Sequence, residues 1–390
     1  MSKVLWPLMN ENITRQDLDQ IIHYLQQDYP KLTNGPKVRE FEKSWSNWLG
    51  VKHSILVNSG ASANDITLLA LKEKTGLGEI ILPPLTWVSD VSAVIRAGFT
   101  PRFVDIKIET LAMDPLLIEK NITASTRAVF VTHVLGLNGV SKPLLELLAL
   151  RGIPLIEDVC ESHGATFQGK KLGTLGLASN FSFYFGHHMT TIEGGMICTD
   201  DDDFADVARM MRSHGLVRES QSQVTKDRFR FEFPDLNPEF TFSFAAHNMR
   251  PTEINGILGL SQLPRLDRVV DSRTRNFKLF LEGLDPQRFY TDFDVEGSSN
   301  FALMVILRNA DPDLQNRLET FLTENRIEFR RGLAGGGNQL RQPYLRKMLH
   351  FEPSEFPNVE HIHFYSFYVG NYPELKPDTI QWLTNSLNKL

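Results

Sequence analysis

Cysteine is scarce: the 390 residues include only Cys160 and Cys198. Two thiols cannot build a disulfide framework, an all-cysteine zinc site or an iron–sulfur site ligated by this chain alone. Their simplest reading is a pair of ordinary core thiols in a reducing cytoplasm. Long apolar runs are also missing. Ile80 to Leu82 and Ala128 to Leu135 fall far short of the roughly 20 residues that a membrane-spanning helix needs. The opening Met-Ser-Lys-Val-Leu-Trp-Pro lacks the apolar core of a secretory signal, so a cytoplasmic protein with no membrane partner is expected. Nor is there a basic excess. Lys and Arg number 41 against 47 Asp and Glu, a formal charge of −6, which speaks against a non-specific nucleic-acid binder. No internal repeat or low-complexity tract occurs.

Hydrophobic residues make up 42% and charged residues 23%, enough apolar surface to offset chain entropy in a folded protein. Short β-branched or aromatic runs predict strands at 53–57, 79–82, 100–105, 128–131, 154–157, 180–185 and 194–199. Helical patterns at 62–74, 89–97 and 142–151 lie between them. Ile66, Leu69 and Ala70 share one helix face. The strands are nearly continuous apolar runs, as when both faces of a sheet are covered. This alternation predicts an α/β fold with a mostly parallel sheet and right-handed crossovers. After Leu263 the pattern changes. A charged helix at 264–281 is followed by a strand at 301–307, a helix at 311–325, a strand at 327–330, a Gly335-Gly336-Gly337 loop and a last helix at 378–390. We expect a large domain over 1–263 and a smaller α+β domain over 264–390. Residues 219–238 lack periodicity and read as a long surface loop.

Three segments carry chemistry. In Val57-Asn58-Ser59-Gly60-Ala61-Ser62-Ala63-Asn64 a strand gives way to small residues and a helix. Exposed amides at a helix start can hold a phosphate; equally, Ser62 can act simply as a helix cap. In Ile156-Glu157-Asp158-Val159-Cys160-Glu161 an apolar run ends in carboxylates, at the strand end where open α/β sheets bind ligands. A buried acid there needs a donor or a cation, such as a protonated pyridine nitrogen, although Asp158 can also be read as a helix cap. In Ser182 to Gly195, paired His187-His188 precede Glu193-Gly194-Gly195. Histidine moves protons near neutral pH. A zinc site with His361 and His363 lacks the usual close ligand spacing, so no metal is expected.

Taken together, these segments resemble the DegT/DnrJ/StrS sugar aminotransferases, which have the aspartate-aminotransferase (type I pyridoxal phosphate) fold. The resemblance rests on Ser59 to Ala63, on Glu157-Asp158 with Gly164-Ala165, on Ser182-Phe183 with Glu193-Gly194-Gly195, and on Asn248-Met249-Arg250-Pro251. It implies pyridoxal 5′-phosphate and pyridoxamine 5′-phosphate as cofactor forms. Asp158 would pair with the ring nitrogen and Glu161 would stand where the family has a Gln on the ring oxygen. Gly60, Ala61 and Ser182 would hold the phosphate, and Trp87 would stack on the ring. Asn248 would reach the phosphate of a neighbouring subunit's cofactor, which implies a homodimer with shared active sites.

The sequence departs from the family at the residue that tethers the cofactor. His187 stands where the family has Lys, and no Lys occurs between Lys171 and Lys226. The His187-His188-x-x-Thr191-x-Glu193-Gly194-Gly195 pattern resembles 3-dehydratases of nucleotide-linked 4-keto-6-deoxysugars, as do Arg212-x-His214-Gly215 and Val369-Gly370-Asn371. One subgroup of these adds an iron–sulfur cluster and a reductase partner, and two cysteines exclude it. The expected reaction is transfer of an amino group from glutamate to a keto- or aldehyde-sugar of lipopolysaccharide type, with His187 as proton carrier. 3-Dehydration is the alternative, and a non-catalytic regulatory relative the third reading. Arg330 and Arg331, with His214, are the candidate substrate contacts. An arginine there would suit an acidic sugar such as an aldehyde-bearing 3-deoxy-octulosonate, while a solvated basic pair is the plainer reading of the same residues.

Overall fold

The structure is a computed structural model that describes residues 5–390. Seven strands form the main sheet: β1 (His53–Val57), β2 (Glu79–Leu82), β3 (Thr100–Phe103), β4 (Thr126–Thr132), β5 (Leu155–Asp158), β6 (Ala178–Ser182) and β7 (Gly195–Thr199). They lie in the order β1-β7-β6-β5-β4-β2-β3. Neighbours from β6 through β3 pair in parallel, and β7 runs antiparallel to both β1 and β6. The sheet is therefore mostly parallel.

Side chains alternate strictly between the two faces. Ile55, Val57, Ile80, Leu82, Phe130 and Ile156 pack on one side, with Ile66, Leu71, Val91 and Val94 from the helices Gly60–Thr75 and Val88–Ala97. Leu56, Ile81, Val129, Val131 and Leu155 pack on the other, with Phe41 and Trp45 of Pro36–Leu49 and Leu144 of Lys142–Arg151. Both faces are covered, which is why the strands read as continuous apolar runs. Each such fully buried side chain contributes about 1.5–3 kcal/mol.

The helices follow local signals. Lys142–Arg151 is capped by Ser141 and stops at Gly152 in the left-handed region, φ +64°. A single turn at Leu263–Arg265 leads into Leu266–Gly283. Beyond it, β8 (Ala302–Ile306), β9 (Phe329–Arg331) and β10 (Ser366–Gly370) form a second sheet in the order β8-β10-β9, all pairs antiparallel.

Several expectations need correction. The strand expected at 180–185 ends at Ser182, because the chain turns there: His187 N–H donates to Tyr184 O at 3.0 Å. The strand expected at 100–105 ends at Phe103. The loop expected over 219–238 contains the helix Gln223–Glu232, capped by Ser222; none of its residues is buried, so it has no apolar stripe to betray it. Ser59, not Ser62, caps Gly60–Thr75, accepting from Ser62 N–H at 3.1 Å. Asp158 opens a turn rather than a helix, its Oδ1 accepting from Cys160 N–H at 2.8 Å.

Candidate active site

The C-terminal ends of three parallel strands converge on one cavity. They supply Thr132 at the end of β4 with His133 just after it, Asp158 at the end of β5 and Ser182 at the end of β6. The cavity measures about 450 Å³. Its described lining also includes Gly60, Ala61, Trp87, Cys160, Glu161, Tyr184, His187, Phe301, Arg330 and Tyr368. Thus Gly60, Ala61, Trp87, Asp158, Glu161, Ser182, His187 and Arg330, scattered along most of the chain, share one space.

One wall is the start of Gly60–Thr75. Ser59 engages the amide of Ser62, and helix geometry leaves the Gly60 and Ala61 amides without intrahelical acceptors. A Cβ at Gly60 would lie 2.7 Å from Ser182 Cβ and 3.2 Å from Cys160 Sγ, so only glycine keeps this corner open. Trp87, 55% exposed, presents its ring on the lining.

The two carboxylates of Glu157-Asp158 point in opposite directions, as alternation along β5 requires. Glu157 is buried in a ring of donors: the amides of Gly173, Leu175 and Gly176 at 2.9, 2.9 and 3.0 Å, and His133 Nε2 at 3.3 Å. Its role is structural. Asp158 faces the cavity. Behind it Asp90 is buried and accepts from Thr86, Thr132 and Asn64; burial and the charge of Asp158 hold its carboxyl well above the usual range. Burial also raises Glu161, to about 7, although Leu135 N–H donates to it at 2.9 Å.

The histidine pair divides. His188 is buried with its Nε2 3.0 Å from Ser299 Oγ. His187 lines the cavity, and its buried Nδ1 has no hydrogen-bond partner. Burial, helped by the Arg273 guanidinium, lowers the His187 pKa to about 3, so at neutral pH the ring is an uncharged base. Nothing in the described lining is a lysine, and Arg330 is its one arginine.

Other candidates lie elsewhere. Arg331 points away from Arg330 across the strand and is ion-paired with Glu319. His214 is exposed with φ +64°, outside the cavity. Asn248 is also exposed and outside it, bridged to Ser213. Cys160 is no core thiol: it lines the cavity half-buried, while Cys198 is fully buried. Among the described residues, no cluster of three His, Cys, Asp or Glu side chains could hold a metal. Thr132, His133, Tyr184, Phe301 and Tyr368 were not expected. The strand-end rule would have found the first two, but nothing local marks Phe301 or Tyr368.

The model of the DegT/DnrJ/EryC1/StrS aminotransferase family matches residues 11–388, and the chain belongs to that family. It is 30% identical to GDP-4-keto-6-deoxy-D-mannose 3-dehydratase of Yersinia pseudotuberculosis over 401 aligned positions, covering 100% of both chains. It is 35% identical to GDP-perosamine synthase of Caulobacter vibrioides over 244 positions, 62% of this chain and 60% of that one. Among solved structures it is similar to the Escherichia coli GDP-4-keto-6-deoxy-D-mannose-3-dehydratase with bound hydrated PLP: TM-score 0.88, 28% identity, 98% and 99% coverage. No helix among the described residues is long and apolar enough to cross a membrane.

The buried imidazoles predict a pH response. Burial lowers His163, His187 and His188, whereas unfolded histidines titrate near 6.5. Below that pH the unfolded chain binds up to three more protons than the native one. Their contribution is therefore full above about pH 6.5 and is lost as pH falls below it, for His187 down to about pH 3, at up to about 4 kcal/mol per pH unit while all three differ. Glu161 acts oppositely, its contribution fading as pH rises through about 7. Urea midpoints of the protein without cofactor should drop steeply between about pH 6.5 and 5. A flat profile would contradict the buried neutral state.

Proposed function

We propose that this cavity binds pyridoxal 5′-phosphate and its amine form, and that the chain transfers an amino group from glutamate to a carbonyl-bearing sugar destined for cell-surface polysaccharide. The observation that carries the reading is His187, an uncharged imidazole on a cavity whose described lining holds no lysine.

The residues suit the group. The Gly60 and Ala61 amides and the Ser182 hydroxyl form the phosphate cradle, where a Cβ would intrude. Asp158 holds the ring nitrogen, Trp87 covers the ring face, and Glu161, raised to about 7, can donate to the ring oxygen. The group, when bound, supplies an aldehyde or amine carbon for nitrogen transfer and a ring that accepts electrons.

The side chains do the rest. With Nδ1 buried, Nε2 of His187 is the nitrogen left to take a proton from one carbon flanking the transferred nitrogen and return it to the other. It cannot bond covalently to the cofactor as lysine does, so non-covalent contacts alone retain the group. The described salt bridges leave Arg330 unpaired, and it offers the cavity a fork for the carboxylate of glutamate or of an acidic sugar. Asn248, exposed and outside its own chain's cavity, is assigned to a partner copy's phosphate, making the working unit a homodimer.

A second reading, 3-dehydration, is favoured by the dehydratase name of a relative that matches this chain end to end. The two share every residue above and differ in the fate of nitrogen. Incubation with cofactor, nitrogen-labelled glutamate and candidate sugars, followed by mass spectrometry, separates them. Label in the sugar is the expected result. Release of labelled ammonia with loss of a sugar hydroxyl would replace aminotransfer by dehydration.

A further inference from the structure

Behind His187 lies a second imidazole that the proposed chemistry does not use. His163 is 0% exposed, and neither of its ring nitrogens has a hydrogen-bond partner. Its ring is packed among Trp45, Phe181 and Phe183, each with its ring centroid 5.7 Å away. The same ring lies 6.0 Å from that of His187 and 5.4 Å from that of His188. His187 Nδ1 and His188 Nδ1 are likewise buried and unpartnered. Four buried ring nitrogens on three adjacent imidazoles thus lack hydrogen-bond partners. Leaving even one such group unsatisfied costs about 1–3 kcal/mol.

The spacing does not allow a direct bond, since no ring nitrogen of His163 comes within hydrogen-bond distance of another. A centroid separation of 6.0 Å is the spacing of two imidazoles that share one bridging water through a nitrogen of each ring. We propose that His163, through a single buried water, is the positioning residue that fixes the tautomer of His187: Nδ1 keeps its hydrogen and donates inward, and the lone pair on Nε2 is presented to the cavity. The water accepts from His187 Nδ1–H and donates to the lone-pair nitrogen of His163, so no net proton moves.

An uncharged partner is what this position needs. A carboxylate behind His187 would favour the imidazolium and spoil the base. The groups facing this cluster are His188, the Arg273 guanidinium and the backbone of Ser182. Arg273 donates to Phe301 O at 2.9 Å and to His187 O at 3.5 Å. No carboxylate is among them, and Arg273 further disfavours protonation of the rings. A neutral donor–acceptor behind the base selects a tautomer without adding charge.

The inference rests on His187 being the base, but its test does not require turnover. Nitrogen-15 NMR of the full chain, labelled at histidine and without cofactor, reads the tautomer directly. Wild-type His187 should carry its hydrogen on Nδ1. His163→Phe, which keeps the aromatic contacts, should lose that preference, and His163→Gln should retain it. In turnover with glutamate, H163F should lower kcat about tenfold with KM within about twofold, and H163Q should restore most of it. An unchanged His187 tautomer in H163F would overturn the proposal. If H163F does not fold, the wild-type spectrum decides: a hydrogen on Nε2 refutes it. Failure of the glutamate-dependent reading of the cavity would show instead as a correct tautomer with no reaction of glutamate, and failure of aminotransfer alone as a correct tautomer with glutamate consumed and no label in the sugar.

Discussion

His187→Asn should reduce turnover by about 10²–10⁴-fold while leaving cofactor affinity within a few-fold of wild type. The size follows from what a positioned general base contributes. The retention of affinity follows from where the cofactor contacts lie: Gly60, Ala61, Trp87, Asp158 and Ser182 belong to other elements. Asparagine is close in size to imidazole and polar, but has no nitrogen that accepts a proton near neutral pH. The substitution therefore removes the base without emptying the wall beneath it. Single-turnover reaction with glutamate, followed by conversion of the aldehyde form to the amine form, isolates the proton step. Equilibrium titration with pyridoxal phosphate measures the affinity. Undiminished conversion would remove His187 from its role. Loss of both activity and affinity would make its role structural.

Asp158→Asn should slow the same half-reaction by about 10²–10³-fold, the usual cost of removing one preorganised electrostatic group from an active site. The change deletes a charge and little else. Asp158 is buried at the end of β5, and its carboxylate accepts from Cys160 N–H, a bond that an asparagine carbonyl oxygen can preserve. What is lost is the carboxylate that keeps a pyridine nitrogen protonated, and with it the ring's capacity to take up electrons. Asp90 cannot substitute. Freed from its neighbour's charge its carboxyl should ionise more readily, but it does not line the cavity and is engaged by Thr86, Thr132 and Asn64. H187N and D158N differ in a way that separates the roles: added small amine bases should partly rescue the first and not the second. A D158N variant that converts glutamate at the original rate would free the ring nitrogen from this residue.

The sheet was legible because burial on both faces leaves a sequence signature. Ile80-Ile81-Leu82 feeds two cores at once, with Ile80 and Leu82 on one side and Ile81 on the other. The helix Lys142–Arg151 was legible from end to end because Ser141 and Gly152 mark it by capping chemistry. The helix Gln223–Glu232 was not, since no face of it is buried and periodicity had nothing to report. At the site, strand ends carried the information: Asp158 and Ser182 sit where a parallel sheet opens. The wall from the smaller sheet was only half readable. Arg330 and Arg331 are equivalent in sequence, and only the pleat of β9 decides that Arg330 faces the cavity while Arg331 pairs with Glu319. Phe301 and Tyr368 come from distant segments, and no local pattern says that a chain fold will bring them over His187 and Glu161. Cys160 was misread for the same reason, as its half-exposure depends on the gap that Gly60 keeps open.

The account turns on a cofactor held without a covalent anchor, beside an imidazole that carries the proton. Borohydride reduction of the protein loaded with pyridoxal phosphate alone, followed by peptide mass spectrometry, tests that directly. The prediction is no pyridoxyl mass on any lysine and an unmodified peptide spanning His187. A stoichiometric pyridoxyl-lysine at any position would contradict it.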